Sequence, residues 1–433
     1  MIRTVEQSAM RKVYLRVLPF AALTYFFCYL DRINVGFAAL TMNKDLGLDP
    51  AMYGMAAGAF FWGYVLFEVP SNIILEKLGA RLWIARIMVT WGIVSGLTAF
   101  ATGPYSFMAI RFLLGLAEAG LFPGFVLYFT YWFPDAHRAR INSGFTLALP
   151  IAVASGAPVS TALLGLNGLF GLRGWQVMFI FEAIPTIVIG IVAFFYLTDR
   201  PSVAPWLSAE EKGWLERTIG GEQRQIEAHH GIGLLRSFFD PKVLLLSLNY
   251  IGIVTASLGL LLFLPQIIKQ LGVTNMMTGV LVSLPYVIGS ISMIAWGYVS
   301  DRMNERRWNL VISCGCAFVG MVAVGYTVGT WWALLAMCLA TIGFYGMKPV
   351  FWPLPSQFLS GTAAAGGIAI INSIGNLGGF FGPMLLGWVK ETTGGYSAGI
   401  YVLAGCALVS TVLALGVPGR KRTAHPRLGE VAV

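Results

Sequence analysis

Seven ionisable side chains stand inside long apolar runs of this 433-residue sequence: Asp31, Arg32, Glu68, Arg111, Glu118, Glu182 and Lys348. A charged side chain at the centre of a membrane span costs at least about 2.5 to 3.5 kcal/mol, so each of these groups needs a partner or a function. Four acids and three bases nearly cancel. That balance is typical of a paired network that lines a polar cavity.

Two of these charges are spaced so that one small anion could bridge them. Arg111 and Glu118 are seven residues apart, so a helix places them on one face, about 10 Å apart along its axis. We expect Glu118 at the depth of Asp31, where the two carboxylates could exchange charge partners with Arg32 and Arg111. The alternative is that these groups form structural ion pairs that fix helix packing.

The elements that must position these charges are membrane helices. Hydrophobic residues make up 57% of the chain and charged residues only 11%, far from the roughly 25% charged residues of globular proteins. About twelve apolar runs are each long enough to cross a hydrocarbon core of about 30 Å. This pattern excludes soluble enzymes, disulfide scaffolds and disordered proteins. The predicted spans are residues 14–40, 52–75, 81–101, 105–132, 139–166, 176–197, 243–269, 277–300, 308–327, 331–358, 361–388 and 396–418.

The basic residues predict how the chain lies in the membrane. If the N-terminus is cytoplasmic, 22 of the 29 Lys and Arg residues lie inside, 4 outside and 3 within spans. This is a strong positive-inside bias. We therefore expect a multi-pass protein of the inner (plasma) membrane with both termini in the cytoplasm. The net charge of +9 then records orientation, and no nucleic-acid partner is predicted.

The chain divides into two halves of six spans. We predict an N-terminal six-helix bundle over residues 1–197, a cytoplasmic linker over 198–242, a C-terminal six-helix bundle over 243–418 and a cytoplasmic tail over 419–433. Within the linker, Ser208 and Glu211 have the spacing of a capped surface helix. The fold class predicted is an all-α membrane protein.

An internal repeat supports this division. The loop after the second span contains Glu76 followed by Lys77, and the loop after the eighth contains Asp301 followed by Arg302. An acid is followed by a base at equivalent positions of the two halves, with more bases nearby. Ordinary cytoplasmic positive charge is one explanation, and the matched location favours a repeated gating element.

These features resemble the major facilitator superfamily of secondary transporters. Its loop motif G-x-x-x-D-R-x-G-x-x-x is matched in the second copy by Gly297, Asp301 and Arg302. The first copy departs from the motif at Asn72 and Glu76 but fits it at Gly79 and Arg81. This departure, with "YLDRINVG", "EVPSNIILEKLGARLWIAR", "RFLLGLAEAGLFPG" and "FWPLPSQFLSGTAAAGGIAIINSIGNLGGFFGP", resembles the anion:cation symporter branch, which includes tartrate, phthalate, hexuronate and galactonate carriers. The resemblance covers nearly the whole chain.

The resemblance implies roles for individual residues. Glu118 and Asp31 match the proton sites of that branch, and Arg32 matches the arginine that binds the substrate carboxylate. Four further positions match substrate contacts of the galactonate-type carriers: Tyr29, Tyr64, Trp352 and Asn372. Without the resemblance, each of these aromatic and amide groups is an ordinary part of a helix core.

Lys348 bears on the kind of anion. It is a third intramembrane cation, on the opposite wall from Arg32, and this favours a substrate with a second anionic group, such as tartrate or phthalate. Alternatively Lys348 pairs with an acid such as Asp31 or Glu118, or caps carbonyls freed by nearby prolines. Glu68 and Glu182 lie nearer the ends of their spans, and we assign them to structure or gating.

The sequence thus favours a proton-coupled importer of a small organic anion that works by alternating access. Alternatives are a sugar-acid symporter of the galactonate or hexuronate kind, and a facilitator or exchanger coupled to another ion. The loops offer no nucleophile–base or metal-ligand set, so we predict no enzymatic activity, no catalytic residue, no metal and no cofactor. The expected partners are the anion, protons and the lipid bilayer, and we expect a functional monomer.

Overall fold

The computed structural model describes residues 4–228, 240–303, 305–355 and 361–417, and every regular element among them is helical. The first eight helices are α1 (Val5–Leu46), α2 (Pro50–Leu78), α3 (Ala80–Leu97), α4 (Pro104–Glu118), α5 (Leu121–Trp132), α6 (Asp135–Thr146), α7 (Ala148–Leu164) and α8 (Gly174–Tyr196).

The linker contributes α9 (Ala209–Ala228). The remaining helices are α10 (Pro241–Lys269), α11 (Asn275–Met303), α12 (Arg307–Thr327), α13 (Trp332–Phe351), α14 (Gly361–Asn376), α15 (Gly378–Thr393) and α16 (Tyr396–Leu415). Counted with the consecutive pairs α4–α5, α6–α7 and α14–α15 as single spans, twelve segments of the described ranges are long and apolar enough to cross a membrane. The predicted all-α membrane fold of twelve spans is confirmed.

Local signals outside the apolar runs set the helix ends. The first span was predicted at 14–40, but α1 is longer because the Thr4 side chain caps its start and Gly47, in the left-handed conformation, ends it. Pro50 then occupies the first turn of α2, where the missing N–H costs nothing, and the Asp49 side chain accepts the Met52 N–H. Apolar patterns alone therefore underestimate helices that continue beyond the membrane.

The fourth predicted span, 105–132, is not one continuous helix. α4 ends at Glu118, Ala119 is extended, and Gly120 has a φ of 90° before α5 begins. A Cβ at Gly120 would also collide with the Ser71 hydroxyl, so both backbone conformation and close packing require glycine here. The break makes Glu118 the last residue of its helix.

Each half is held together by its own helix pairs. In the first half α2 packs on α4, α3 on α8 and α1 on α7, and in the second α12 packs on α13 and α16, α11 on α13 and α10 on α15. Among the described residues, four helix pairs make the main contacts between the halves: α2 with α15, α7 with α11, α1 with α10 and, less extensively, α2 with α14.

Several contacts between the halves lie near the end of the bundle where α1 meets α2, here called the α1–α2 end. The Tyr53 hydroxyl donates to the Leu262 carbonyl at 2.8 Å. A Cβ at Gly54 would collide with the Pro383 carbonyl, and one at Gly387 with that of Pro50. Glycines therefore let α2 and α15 approach closely at this end.

The linker helix packs on the first half. Ser208 and Glu211 form the predicted reciprocal cap at the start of α9, at 2.8 and 3.2 Å. Glu211 also accepts hydrogen bonds from Ser8 at 2.7 Å and from Lys12 at 2.8 Å, both on α1. α9 is thus fastened to the N-terminal end of α1.

Candidate functional site

Arg32 and Glu118 form a buried ion pair between α1 and α4. The Arg32 Nε donates to Glu118 Oε1 at 2.7 Å, and Nη2 donates to the same oxygen. The Cys28 thiol donates to that oxygen too, at 3.1 Å. Glu118 is fully buried, and its other oxygen has no hydrogen-bond partner among the described residues. One carboxylate oxygen is therefore crowded with donors while the second is unused.

Aromatic rings surround the Arg32 guanidinium. Its central carbon lies 5.2 Å from the ring centres of Tyr29 and Phe60 and 5.1 Å from that of Tyr64. Such rings attract a cation through their negative faces. Two of the predicted substrate-binding tyrosines, Tyr29 and Tyr64, thus lie beside the predicted carboxylate-binding arginine.

Asp31 is next to Arg32 in sequence but faces α3. It accepts hydrogen bonds from the Trp91 indole at 2.8 Å, from the Ser95 hydroxyl, and from the Asn34 amide at 3.2 Å. Among the described residues it makes no ion pair with any base, because Arg32 turns instead towards Glu118. The two predicted proton sites therefore have different surroundings.

Asn34 connects Asp31 with a second buried acid. Its amide nitrogen also donates to Glu182 at 3.0 Å, and the Ser160 hydroxyl donates to Glu182 at 2.7 Å. Glu182 is 4% exposed and has no cationic partner in the part of the chain that the structure describes. Asp31 and Glu182 are thus linked through the Asn34 amide, and the described hydrogen bonds to both acids come from neutral donors.

Arg111 is buried and has no carboxylate partner among the residues that the structure describes. It is 1% exposed, its Nε has no hydrogen-bond partner within the described ranges, and its guanidinium carbon lies 5.1 Å from the Phe60 ring centre. Of the two arginines, Arg32 and not Arg111 is the one paired with Glu118. The Phe60 ring thus lies beside both arginines, of which Arg32 is paired with Glu118 and Arg111 has no ion pair among the described residues.

A small cavity lies between the halves at these arginines. Its volume is about 10 Å³, room for about one water molecule. The first half contributes Tyr29, Arg32, Phe60, Phe61 and Arg111, and α10 closes the other side with Leu258, Leu261 and Leu262. A larger ligand between the arginines would require α10 to move away.

In the second half, Lys348 also has no ion-pair partner among the described residues. Its nitrogen lies 4.9 Å from the Tyr345 ring centre. The alternative in which Lys348 pairs with Asp31 or Glu118 is not observed, because those acids are bonded within the first half. Lys348 remains a partly buried, unpaired cation of α13.

Trp352 packs on a residue that the sequence did not single out. Its ring lies 5.1 Å from that of Tyr250 on α10, which also stacks on Phe351 at 5.0 Å. A Cβ at Gly375 of α14 would collide with the Tyr250 ring. Tyr250 therefore joins α10, α13 and α14, and its position as a lone tyrosine in the apolar run of α10 was the only signal for it.

Asn372 is engaged by an acid from the other half. Its amide donates to Glu68 of α2 at 2.8 Å, and the neighbouring Ser373 hydroxyl donates to the same carboxylate at 3.1 Å. Glu68 is 4% exposed. The Asn372 amide, which was predicted to contact the substrate, is thus hydrogen-bonded to Glu68. This hydrogen bond links the two halves.

The five predicted gating residues lie on the surface. Glu76, Lys77 and Arg302 are exposed and form no ion pair within the described ranges. Asp301 pairs with Arg306 at 2.7 Å, a partner that the loop motif did not identify. The Arg81 N–H donates to Asp199 at 2.8 Å, and its guanidinium lies 5.1 Å from the Phe194 ring. None of these contacts joins the two halves.

Sequence reasoning also missed the donors that hold the acids: Cys28, Asn34, Trp91, Ser95 and Ser160. Cys28 could have been found, since it is one helical turn before Arg32 on the same face. Trp91 and Ser95 could not, because nothing local in the sequence connects their span with Asp31. Among the described residues, no group of three or more His, Cys, Asp or Glu side chains could hold a metal ion.

Comparisons with known proteins found a matching family profile and several similar transporters. A profile described as "Major Facilitator Superfamily" matches residues 21–383. A protein of Agrobacterium vitis named "Putative tartrate transporter" is 47% identical over 428 residues, covering 99% of this chain and 98% of its own length. The "Quinolone resistance transporter" of Acinetobacter baumannii is 39% identical and covers 94% of each chain.

A solved structure shares the fold. The xylose transporter XylE from E. coli, in a partially occluded inward open conformation, superposes with a TM-score of 0.74 over 94% of this chain and 98% of that chain. Its sequence identity is 14%, so the likeness concerns the fold alone.

Proposed function

Because this chain belongs to the major facilitator superfamily, we propose that it is a proton-coupled secondary transporter that imports a small organic anion by alternating access. The observation that carries the proposal is the cavity between the halves, which Arg32 and Arg111 line. Arg32 pairs with Glu118, whereas Arg111 has no carboxylate partner among the described residues. An anionic substrate could supply the partner that Arg111 lacks. The family and the relatives named as transporters make the chain a transporter rather than an enzyme.

The substrate we propose is a dicarboxylate of the tartrate kind. The name of the Agrobacterium vitis relative supports this choice. Lys348 supports it independently, because it is a cation of the second half that forms no ion pair among the described residues. A dicarboxylate could engage arginine on one wall and lysine on the other. A sugar acid of the galactonate or hexuronate kind is the alternative, since it needs cations on one wall only.

Glu118 and Asp31 are the proposed proton sites. A proton on Glu118 would weaken its hold on Arg32 and free that guanidinium for a substrate carboxylate. The ionised, unloaded carrier would keep Glu118 on Arg32. Proton and substrate would then favour the same state of the carrier, which is the requirement for symport. The alternatives are coupling to another ion and facilitated exchange. In either case the proton gradient would not drive uptake of the substrate.

The binding site would alternate between the two membrane faces as the halves rock. We propose the bundles over residues 1–197 and 243–418, joined by the cytoplasmic linker 198–242, with the cytoplasmic tail 419–433, which lies outside the described residues. The positive-inside bias supports an inner-membrane monomer with both termini in the cytoplasm and the α1–α2 end outside. The acid–base loops at Glu76–Lys77–Arg81 and Asp301–Arg302 are the proposed gating elements.

Uptake by proteoliposomes tests the proposal. Purified protein is reconstituted, a pH gradient is imposed, and radiolabelled tartrate, phthalate and galactonate are supplied. We expect tartrate to accumulate when protons flow inward and not when the gradient is collapsed by an ionophore. Accumulation driven equally by a sodium gradient, or no transport of any carboxylate, would refute the proposal. Faster accumulation of galactonate than of tartrate would select the sugar-acid alternative.

A further inference from the structure

A groove runs between α3 and α8 on the outside of the first half. It has a volume of about 390 Å³, within the range of small-molecule sites, about 300–1,000 Å³. Ile191 and Phe195 on its wall are 51% and 76% exposed, so the groove faces the surroundings of the bundle. The other lining residues are Leu82, Ala85, Arg86 and Val89 of α3, and Gly190 and Phe194 of α8. α3 and α8 are not among the pairs that join the halves.

One wall of this apolar groove carries an unpaired cation. Arg86 lies six residues after the start of α3 and forms no ion pair within the described ranges. Its Nη1 is buried and has no hydrogen-bond partner among the described residues. Its guanidinium carbon lies 4.6 Å from the Trp83 ring centre. A buried guanidinium nitrogen without an acceptor is costly, and an anion in the groove would remove that cost.

A second cation stands at the mouth of the groove. The Arg81 guanidinium lies 5.1 Å from the ring of Phe194, a groove residue. Arg81 precedes Arg86 by five residues, about 7.5 Å along a helix. The carboxylate nearby, Asp199, accepts the main-chain N–H of Arg81, and neither guanidinium forms an ion pair with it. The mouth and the adjoining wall are therefore basic while the rest of the groove is apolar.

We propose that the groove between α3 and α8 binds an anionic phospholipid, with its phosphate on Arg86 and an acyl chain along the apolar walls. The guanidinium fork matches phosphate oxygens in a two-point contact. The groove opens towards the lipid rather than towards the substrate cavity, so an acyl chain can enter it from the bilayer. In the proposed orientation, Arg81 and Arg86 lie on the cytoplasmic side of the membrane, where basic pockets between helices bind anionic lipids.

Native mass spectrometry of the full chain in detergent tests this site. Phosphatidylglycerol and phosphatidylethanolamine are titrated separately, and the bound fractions are compared. We expect wild type to retain phosphatidylglycerol more tightly, and Arg86→Gln to lose about tenfold in affinity for it, the effect of one charged hydrogen bond, with little change for phosphatidylethanolamine. Arg86→Lys should fall between the two, because it keeps the charge but loses the fork.

Two further variants separate charge from shape. Arg217→Gln removes an exposed arginine of α9 away from the groove and should bind phosphatidylglycerol as wild type does. Ile191→Trp narrows the groove but keeps Arg86, and should weaken both lipids.

The proposal is overturned if wild type binds both lipids equally, or if Arg86→Gln and Arg86→Lys both match wild type. Displacement of phosphatidylglycerol by equimolar inorganic phosphate would also overturn it, since the site would then be one for small anions. Should Arg86→Gln not fold, Arg86→Lys and Ile191→Trp decide the question.

Discussion

At the scale of single residues, the unused oxygen of Glu118 explains how proton and anion could compete. All three donors to this carboxylate, two from Arg32 and one from Cys28, converge on Oε1. A substrate carboxylate would need the same Arg32 nitrogens. It can obtain them when Glu118 is protonated, because a neutral acid holds a guanidinium less strongly. Binding and protonation are then linked through one side chain.

The first prediction is that Glu118→Gln uncouples transport from the pH gradient. The amide keeps an oxygen for Arg32 and Cys28 but cannot release a proton. We expect counterflow exchange of substrate to remain measurable while accumulation under an inward proton gradient is lost. Proteoliposome uptake with and without the gradient measures both. Accumulation equal to that of wild type would show that Glu118 is not the coupling site, and Glu118→Asp, which keeps the acid, serves as the control.

The second prediction is that Arg32→Ala abolishes substrate binding instead of only slowing turnover. The substrate would lose its charge-assisted partner, and Glu118 would remain buried without its base, a change that typically costs about 3–5 kcal/mol. Arg32→Lys keeps the charge and should bind weakly. Equilibrium binding in detergent is the measurement, and thermal stability is followed in parallel. Unchanged affinity in Arg32→Ala would remove Arg32 from the site.

Lys348 carries the third prediction, which concerns specificity. Lys348→Ala should weaken a dicarboxylate far more than its monocarboxylate analogue, by about 1.5–3 kcal/mol for one charged hydrogen bond. Competition of tartrate and of a monocarboxylate against labelled substrate gives the two affinities. Lys269→Ala, at the far end of α10, is the control. Equal losses for both substrates would mark Lys348 as structural.

Residue types predicted much of this site, since each buried charge in an apolar run is visible in the sequence. What they did not predict is pairing. Asp31 and Arg32 are adjacent, yet a helix turns neighbours about 100° apart, so one faces α3 and the other α4. Asn372 was expected at the substrate, but its amide is taken by Glu68 across the halves. Such partners depend on tertiary packing, which one sequence does not encode locally.

At the scale of elements, helix existence was easier to predict than helix continuity. Each of the twelve spans shows as an apolar run because burial in lipid requires about 20 apolar residues. The break between α4 and α5 leaves the apolar pattern intact and is marked only by Gly120. Gly115, five residues earlier, has helical conformation and instead permits contact with Phe60. Glycine alone therefore did not distinguish a break from a close approach.

The fourth prediction concerns α9 and its fastening to α1. Burial alone would raise the pKa of Glu211, but hydrogen bonds from Lys12, the Ser208 N–H and Ser8 outweigh it and lower the pKa to about 2. Glu211→Ala should therefore loosen α9, with faster hydrogen exchange over residues 209–228. Lys12 is 45% exposed, so the ion pair itself contributes little, about 1 kcal/mol or less. Glu216→Ala, an exposed acid on the same helix, is the control.

The same group sets a direction for the pH dependence. A carboxyl whose pKa is lower when folded than when unfolded contributes stability that is present above the unfolded value and is lost as pH falls through the folded value. Protection of α9, corrected for intrinsic exchange rates, should therefore be constant near neutral pH and fall between about pH 4.3 and pH 2. Loss of protection already at pH 6 would contradict this account.

At the scale of the whole molecule, the halves touch unevenly. The Tyr53 hydroxyl bond and the glycine contacts of α2 with α15 lie towards the α1–α2 end, and Glu68 with Asn372 lies deeper. The cavity between Arg32 and Arg111 lies between the halves and holds little more than a water molecule. In the proposed cycle, the contacts at the α1–α2 end must separate when the site opens outward, and the glycines allow them to close again.

The last prediction tests this role of the glycines. Gly54→Leu would force a side chain against the Pro383 carbonyl, and overpacking of this kind costs about 1–3 kcal/mol. The cost falls only on states in which α2 and α15 touch. The population should therefore shift about fivefold to more than a hundredfold towards states open at the α1–α2 end, since about 1.4 kcal/mol is tenfold. Spin labels on cysteines introduced at Lys44 and Glu391, with the native cysteines replaced, should then show longer distances. Gly405→Leu makes the same change where a Cβ meets nothing within 4 Å, and should leave the distances unchanged. Identical distances in Gly54→Leu and wild type would mean that this contact does not govern the closing of that end.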